Sequence, residues 1–221
     1  MIDEILELTS KFLALLLVLP IHEFFHAFAA VKCGDPTPKM YGRYSINPFA
    51  HFDKFGLICF VIAGFGWARP VPINPNNFRN YKKGCFFTSI AGVLSNYILA
   101  FLGYPLPILV RLYVPEFGYF TRVLGLSLYF MVTLSLSFCI FNLLPLYPLD
   151  GFRILDVFAK RRGKVYWFLR NYGVYVLYFL FALSLISYIT GFYQIDVLGN
   201  LLSYLVGIIS IPITRFWGLI F

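Results

Sequence analysis

Charge is what this chain has least of. Only 13% of its 221 residues are charged, with 10 acidic side chains and 3 histidines, while 60% are apolar. A soluble domain carries about 25% charged and about 45–50% apolar residues, so the ordinary soluble class is excluded; the mean hydropathy of +0.77 agrees. No polar stretch reaches the length of about 50 residues that a separate soluble domain needs, and there is no internal repeat or low-complexity tract. The four cysteines, Cys33, Cys59, Cys85 and Cys139, form no CxxC or other close pair. Neither a disulfide framework nor a zinc knuckle is indicated. No aromatic-basic module accompanies the net charge of +8, so no nucleic-acid partner is expected.

Long apolar runs are what it does have. Uncharged stretches at Phe12 to Val31, Phe86 to Gly103, Val123 to Phe141, Tyr172 to Thr190 and Val197 to Ile213 each approach the roughly 17–25 residues of a spanning helix. The expected fold is therefore an α-helical polytopic membrane protein with about five transmembrane helices. A further run, Phe55 to Trp67, holds three glycines and is too short to cross about 30 Å; it predicts a membrane-associated β-hairpin or re-entrant element between the first two spans. With five spans, 15 of the 18 Lys and Arg fall on one side, in loops 32–83 and 153–170 and the C-terminal tail. The positive-inside rule makes that side cytoplasmic and the N-terminus external. Asp3, Glu4 and Glu7 are the opposite of a basic signal-peptide start, so the first span is expected to stay. A multi-pass protein of a cell membrane, of prokaryotic compactness, is the expected setting, with the lipid bilayer as its first partner.

Against that background "HEFFH", His22 to His26, is costly. Ionisable groups at membrane depth cost several kcal/mol, and no Asp, Glu, Lys, Arg or His occurs elsewhere in the five runs. On a helix His22 and His26 are i and i+4 and project from one face, so both imidazoles reach one metal, with Glu23 beside the open position as general base toward water. With three His and four Glu in the chain, a chance match is expected about once in a thousand such sequences. A catalytic zinc takes three protein ligands. His51 is the remaining histidine, and Asp150 stands out among the acids, in "FNLLPLYPLDG". Val123 to Leu149 is 27 uncharged residues, more than one span needs, yet Pro145 and Pro148 stop the helix near Asn142. The apolar loop that follows lies at membrane depth, tolerated where it lines a cavity, and delivers Asp150 to the depth of His22 and His26. The alternative for Asp150 is a simple cap for "GFRILDVF".

Four blocks, in order, resemble the site-2 proteases, the intramembrane zinc metalloproteases of peptidase family M50. They are "HEFFH" at His22; "GDPTPKMYGRYSINPFAHFDKFG" from Gly34 with "GWARPVPINPNNFRN" from Gly66; "AGVLSNYILA" from Ala91; and "NLLPLYPLDG" from Asn142. The resemblance implies that His22, His26 and Asp150 hold Zn2+, that Glu23 is catalytic, and that Asn96 and Asn142 bind the substrate backbone or the oxyanion. It departs from the family at Val93 and Tyr147, where proline is common; neither touches a ligand.

The middle blocks also have a direct reading. "GWARPVPINP" is too rich in proline for helix and suits short edge strands and turns, which can pair with an unwound substrate by strand addition. His51 and Asp53 are read as structural or gating residues. Asn96 either bonds a neighbouring helix or meets a substrate amide, and Asn142 either caps a helix end or does the same. Tyr172, Tyr175 and Tyr178 fall on one helical stripe, read as an interface belt or a helix-packing face, and "AKRRGK" at Ala159 is read as a cytoplasmic anchor near anionic lipid. The organisation expected is a metalloprotease core at 1–155, three spans plus a β-hairpin region at 34–83, followed at 156–221 by a basic loop and two further spans. The activity expected is zinc-dependent cleavage of a transmembrane protein substrate near the cytoplasmic face, with a membrane regulatory partner as a further expectation. A catalytically silent zinc-binding scaffold and a metal transporter are the rival readings.

Overall fold

The computed structural model describes residues 2–56, 58, 68–116 and 118–221. The helices that frame the molecule are α1 (Ile2–Cys33), α2 (Tyr81–Gly103), α3 (Pro105–Tyr113), α4 (Tyr119–Leu143), α5 (Asp150–Phe158), α6 (Lys164–Thr190) and α7 (Val197–Trp217). Among the described residues five helical segments are long and apolar enough to cross a membrane: α1, α2 continued through α3, α4, α6 and α7. They are the five expected from the apolar runs, extended at their ends. α1 begins ten residues before its uncharged run, helped by the Glu7–Lys11 ion pair one turn apart, 2.6 Å. Its 32 residues measure about 48 Å, more than the membrane core.

The packing of α1 on α2 positions everything that follows. On α1 the buried positions Ser10, Ala14, Val18, His22, His26 and Ala30 recur every fourth residue. On α2 the buried positions Gly84, Thr88, Gly92, Asn96 and Ala100 do the same. Rows spaced by four residues interdigitate as ridges into grooves, and small side chains let two backbones approach closely in a membrane. Where the α2 row dips to Gly92 it accommodates the two imidazoles of α1: a Cβ there would collide with both rings.

α4 completes a three-helix core, with Ala14, Val18, Ala100, Met131, Val132 and Leu136 in one buried cluster. α7 closes it from the C-terminal end. Ile213 is fully buried in that cluster, and the Trp217 indole donates to the Phe101 carbonyl at 2.7 Å. α6 braces the loop before α5, because Gly173 lies where any side chain would strike the Tyr147 backbone, and Tyr147 N–H donates to the Leu169 carbonyl at 3.3 Å.

The expected β-hairpin region at 34–83 is corrected. Among its described residues there is no strand, only an isolated antiparallel bridge between Phe52 and Ala68, with Arg69 N–H donating to the His51 carbonyl at 2.8 Å. Short helical turns at Thr37–Met40, Pro48–Ala50 and Pro75–Asn77 take up much of the rest. The reason is local. Pro36, Pro38, Pro48, Pro70, Pro72 and Pro75 lack the N–H that a ladder needs and favour turn starts, and the Asn47 and Asn74 side chains cap the turns by accepting from Phe49 and Asn76 N–H. The apolar run Phe55 to Trp67, expected as the hairpin itself, lies largely outside the described residues.

Candidate metal centre and active site

α1 supplies His22, Glu23 and His26, and the first residue of α5 supplies Asp150; all four are buried. The Nε2 atoms of His22 and His26 are 2.9 Å apart, and Asp150 Oδ2 lies 3.0 Å from His26 Nε2 and 3.5 Å from His22 Nε2. Ligand atoms at about 2.0–2.1 Å from a tetrahedral zinc stand about 3.3 Å from one another, so the three atoms already have the spacing of one face of that tetrahedron. Among the described residues they form a group able to hold a metal ion.

The hydrogen bonding around them fixes which atoms face inward. His26 Nδ1 donates to the Thr88 carbonyl at 2.7 Å, which leaves Nε2 with its lone pair exposed. His22 Nδ1 meets the Asn96 amide at 3.1 Å. Since a ligating Nε2 puts the proton on Nδ1, Asn96 must present its oxygen there. A half-turn of the amide does this and pairs Asn96 Oδ1, a buried atom with no partner in the other orientation. With both Nδ1 atoms protonated, the approach of Asp150 Oδ2 to the two Nε2 atoms is a meeting of lone pairs, and Oδ2 is left without a hydrogen-bond donor. Three buried electron-pair donors aimed at one point fit a cation.

Glu23 sits beside this triplet and is held from the far side. Its Oε2 accepts from Val71 N–H at 3.1 Å, so the proline-rich segment orients the carboxylate. Arg43, buried, lies near enough to both Glu23 and Arg69 to interact: burial first, then Arg69, hold its guanidinium below the ordinary value, with Glu23 opposing. A cleft of about 100 Å³ opens onto the triplet, lined in part by Glu23, Val71, Asn142, Pro148, Asp150 and Arg153. Arg153 is half-exposed one turn along α5, its Nη1 4.0 Å from Asp150 Oδ1.

Of the residues singled out in the sequence, His22, Glu23, His26 and Asp150 come together. Asn142 lines the cleft, its Nδ2 donating to the Phe138 carbonyl at 3.0 Å. Asn96 does not line it; fully buried, it stands behind His22. His51 bonds the Ser45 carbonyl at 2.6 Å and Asp53 caps the turn at Phe55 and Gly56; neither joins the triplet. The Thr88 carbonyl and Val71 N–H escape a reading by motif because they are backbone groups. Gly92 lies inside the "AGVLSNYILA" block, and the four-residue recurrence of small residues on α2 is the signal of what it does there.

A buried His, His and carboxylate triplet with a glutamate beside it, inside a bundle of spanning helices, defines a membrane metallohydrolase. The comparisons carry this further. Residues 118–187 match the model of "Peptidase family M50". "Putative zinc metalloprotease YwhC" of Bacillus subtilis (strain 168) is 40% identical over 184 residues, covering 80% of this chain and 82% of that protein. No solved structure matches. The chain belongs to peptidase family M50, the site-2 protease family of membrane metalloproteases. Zinc is the metal of this family, and the His22, His26 and Asp150 group suits it.

Proposed function

We propose that the protein is an intramembrane zinc endopeptidase that cuts a transmembrane protein substrate near the cytoplasmic face. The observation that carries the reading is the convergence of His22 Nε2 and His26 Nε2 of α1 with Asp150 Oδ2 of α5, 124 residues beyond His26 in sequence, onto one point beside an oriented Glu23. Zinc held by those three residues supplies Lewis-acid polarisation of the scissile carbonyl and lowers the pKa of water.

Glu23 is the proton carrier. Its carboxylate takes the proton of the attacking water and delivers it to the leaving nitrogen, while the Val71 N–H keeps it from swinging away between the two steps. Asn142 faces the substrate main chain from the cleft wall and stabilises the charge that develops on the carbonyl oxygen. Asn96 acts at one remove, holding His22. The cleft volume of about 100 Å³ is well below the roughly 300–1,000 Å³ of sites that enclose a ligand, which suits an extended main chain laid across it. Residues 68–74 offer such a chain a parallel track; Pro70 and Pro72 have no N–H, so pairing along this stretch relies on carbonyls.

The test measures zinc content and cleavage of a membrane-segment reporter in the same detergent-purified samples. Wild type should carry about one zinc per chain and cut. Glu23→Gln should keep the zinc and lose about 10²–10⁴-fold in rate, while His22→Ala and Asp150→Ala should lose both. Zinc retained in Asp150→Ala would overturn the ligand set, and cutting retained by Glu23→Gln would overturn the mechanism. A scaffold that only holds metal predicts unchanged function in Glu23→Gln.

A further inference from the structure

A second concavity lies on the outer side of the α1–α2 pair, backing onto the metal centre. It has a volume of about 390 Å³ and runs between Phe25, Ala29 and Lys32 of α1 and Ala91, Leu94 and Ile98 of α2. Its floor shares a wall with the site: Ala91 adjoins Gly92, which touches both imidazoles. From Phe87 to Ile98 the groove follows α2 for about 16 Å. At about 30 Å³ per water-sized group it has room for about a dozen methylenes. It is far too slim for a second helix of about 10 Å diameter.

One end of the groove is cationic. Lys32 and Cys33 close it. Arg79 is brought to the same end because its N–H donates to the Cys33 carbonyl at 3.0 Å, and the exposed Lys82 and Lys83 stand in the first turn of α2 nearby. The nearest acidic residue in sequence, Asp35, is fully buried and engaged by Thr37, Asn74 and Asn77, and Asp156, which lies near the first turns of α2, is held by Arg162 and the Tyr166 hydroxyl, so the cations outnumber the acids at this end. An apolar slot with cations at one end, opening sideways from a helix pair into the bilayer, matches a phospholipid: one acyl chain along the slot and an anionic headgroup against the cations. We propose that this groove is a specific site for an anionic phospholipid. Lipid tails are as apolar as the groove itself, so burial alone confers no selectivity; the headgroup must. Juxtamembrane Lys and Arg each contribute about fivefold in affinity for anionic lipid.

The experiment is native mass spectrometry of the full chain released from detergent, titrated with phosphatidylglycerol and with phosphatidylcholine of the same acyl chains. Wild type should retain one phosphatidylglycerol at least tenfold more tightly than phosphatidylcholine. Lys32→Ala, which removes an exposed cation that stands 5.5 Å from the Phe28 ring centroid, should reduce that preference about fivefold while leaving phosphatidylcholine binding unchanged. Ala29→Leu and Ala91→Phe, which fill the slot from its two walls, should each abolish retention of both lipids. Equal retention of the two lipids by wild type would overturn the proposal. So would an unaltered preference in Lys32→Ala, retention unaffected by either filling variant, or displacement of the lipid by an apolar helical peptide, which would make the groove a protein-docking surface. None of these readouts depends on peptidase activity.

Discussion

Asn96 shows how a polar residue in a membrane helix contributes without touching the cleft. Its amide meets His22 Nδ1 at 3.1 Å from a fully buried position, where an oxygen fixes the imidazole tautomer. Removing such a partner weakens metal binding about 10–100-fold. Asn96→Leu should therefore raise the zinc dissociation constant by that factor, whereas Asn96→Asp, which keeps an oxygen in place, should restore most of the affinity. A chelator competition on both variants checks it; equal losses would reduce Asn96 to packing. Gly92→Ala should be worse, since its methyl would occupy the space of both imidazoles, and zinc should fall below detection in a folded protein. Asp35 is the residue to follow with pH. Burial works against its charge, but hydrogen bonds from the Thr37 hydroxyl, the Asn77 amide and the Asn74 and Thr37 backbone N–H outweigh it and hold the carboxyl below its ordinary value. A folded-state pKa below the unfolded one gives stability that is complete above about pH 4 and lost as pH falls through the folded value. Melting curves from pH 7 to pH 3 should show wild type losing stability and Asp35→Asn, already weaker by about 1–3 kcal/mol, sloping less.

At the scale of elements the site depends on close approaches that glycine permits, at Gly151 beside Asp150, where a Cβ would strike the Leu143 carbonyl, and at Gly92 and Gly173. Gly92 lets α2 lie against the histidines, and Gly173 lets α6 lie against the Tyr147 backbone in the loop that carries Asp150 into place. α6 brings no side chain to the cleft, yet it is the support for the third ligand. Gly173→Val should displace the 144–149 loop and lose zinc while helical circular dichroism stays at the wild-type level; retained zinc would show that the loop holds itself. The row of small residues on α2 was legible in the sequence once its partner row on α1 was known. Which of several apolar stripes on each helix faces the other is decided by packing, and periodicity alone does not choose. The absence of strand among the described residues of the 34–83 region follows from the same limit. Proline excludes long helix, and the structure satisfies the chain by short helical turns, caps and one bridge where extended pairing was expected.

For the whole molecule, charge sets orientation and water sets chemistry. The orientation we propose from the charge asymmetry puts the loops 32–83 and 153–170 on the cytoplasmic side; on it, cysteines placed at Lys39 and Lys160 in a cysteine-free background should react with an impermeant thiol reagent only after permeabilisation, and one at Glu116 should react in intact cells. The reverse pattern would put the cleft on the outer side. A hydrolase also needs a water path, so cysteines at Ile73 and Leu149, both lining the cleft, should be labelled by a small aqueous reagent; both remaining dry would count against hydrolysis at this point.

The sequence alone determined that the chain is a bundle of about five spanning helices, because an uninterrupted apolar run of about 20 residues has the length of a helical span, about twice that of a barrel strand, and satisfies its own backbone in hydrocarbon as a helix. It also determined that the two histidines face one point, since an i, i+4 pair on a helix shares a face whatever surrounds it. Asp150 could be named but not placed: 124 positions separate it from His26, and the distance between them depends on how α4 ends, how the loop turns and what α6 presses against it. The second layer, Asn96 on His22, the Thr88 carbonyl on His26 and the Val71 N–H on Glu23, was decided by tertiary structure. These contacts are made by backbone groups and by residues far apart in the chain, and only the packing of α1 on α2 and the path of the 68–74 segment bring them within hydrogen-bonding range.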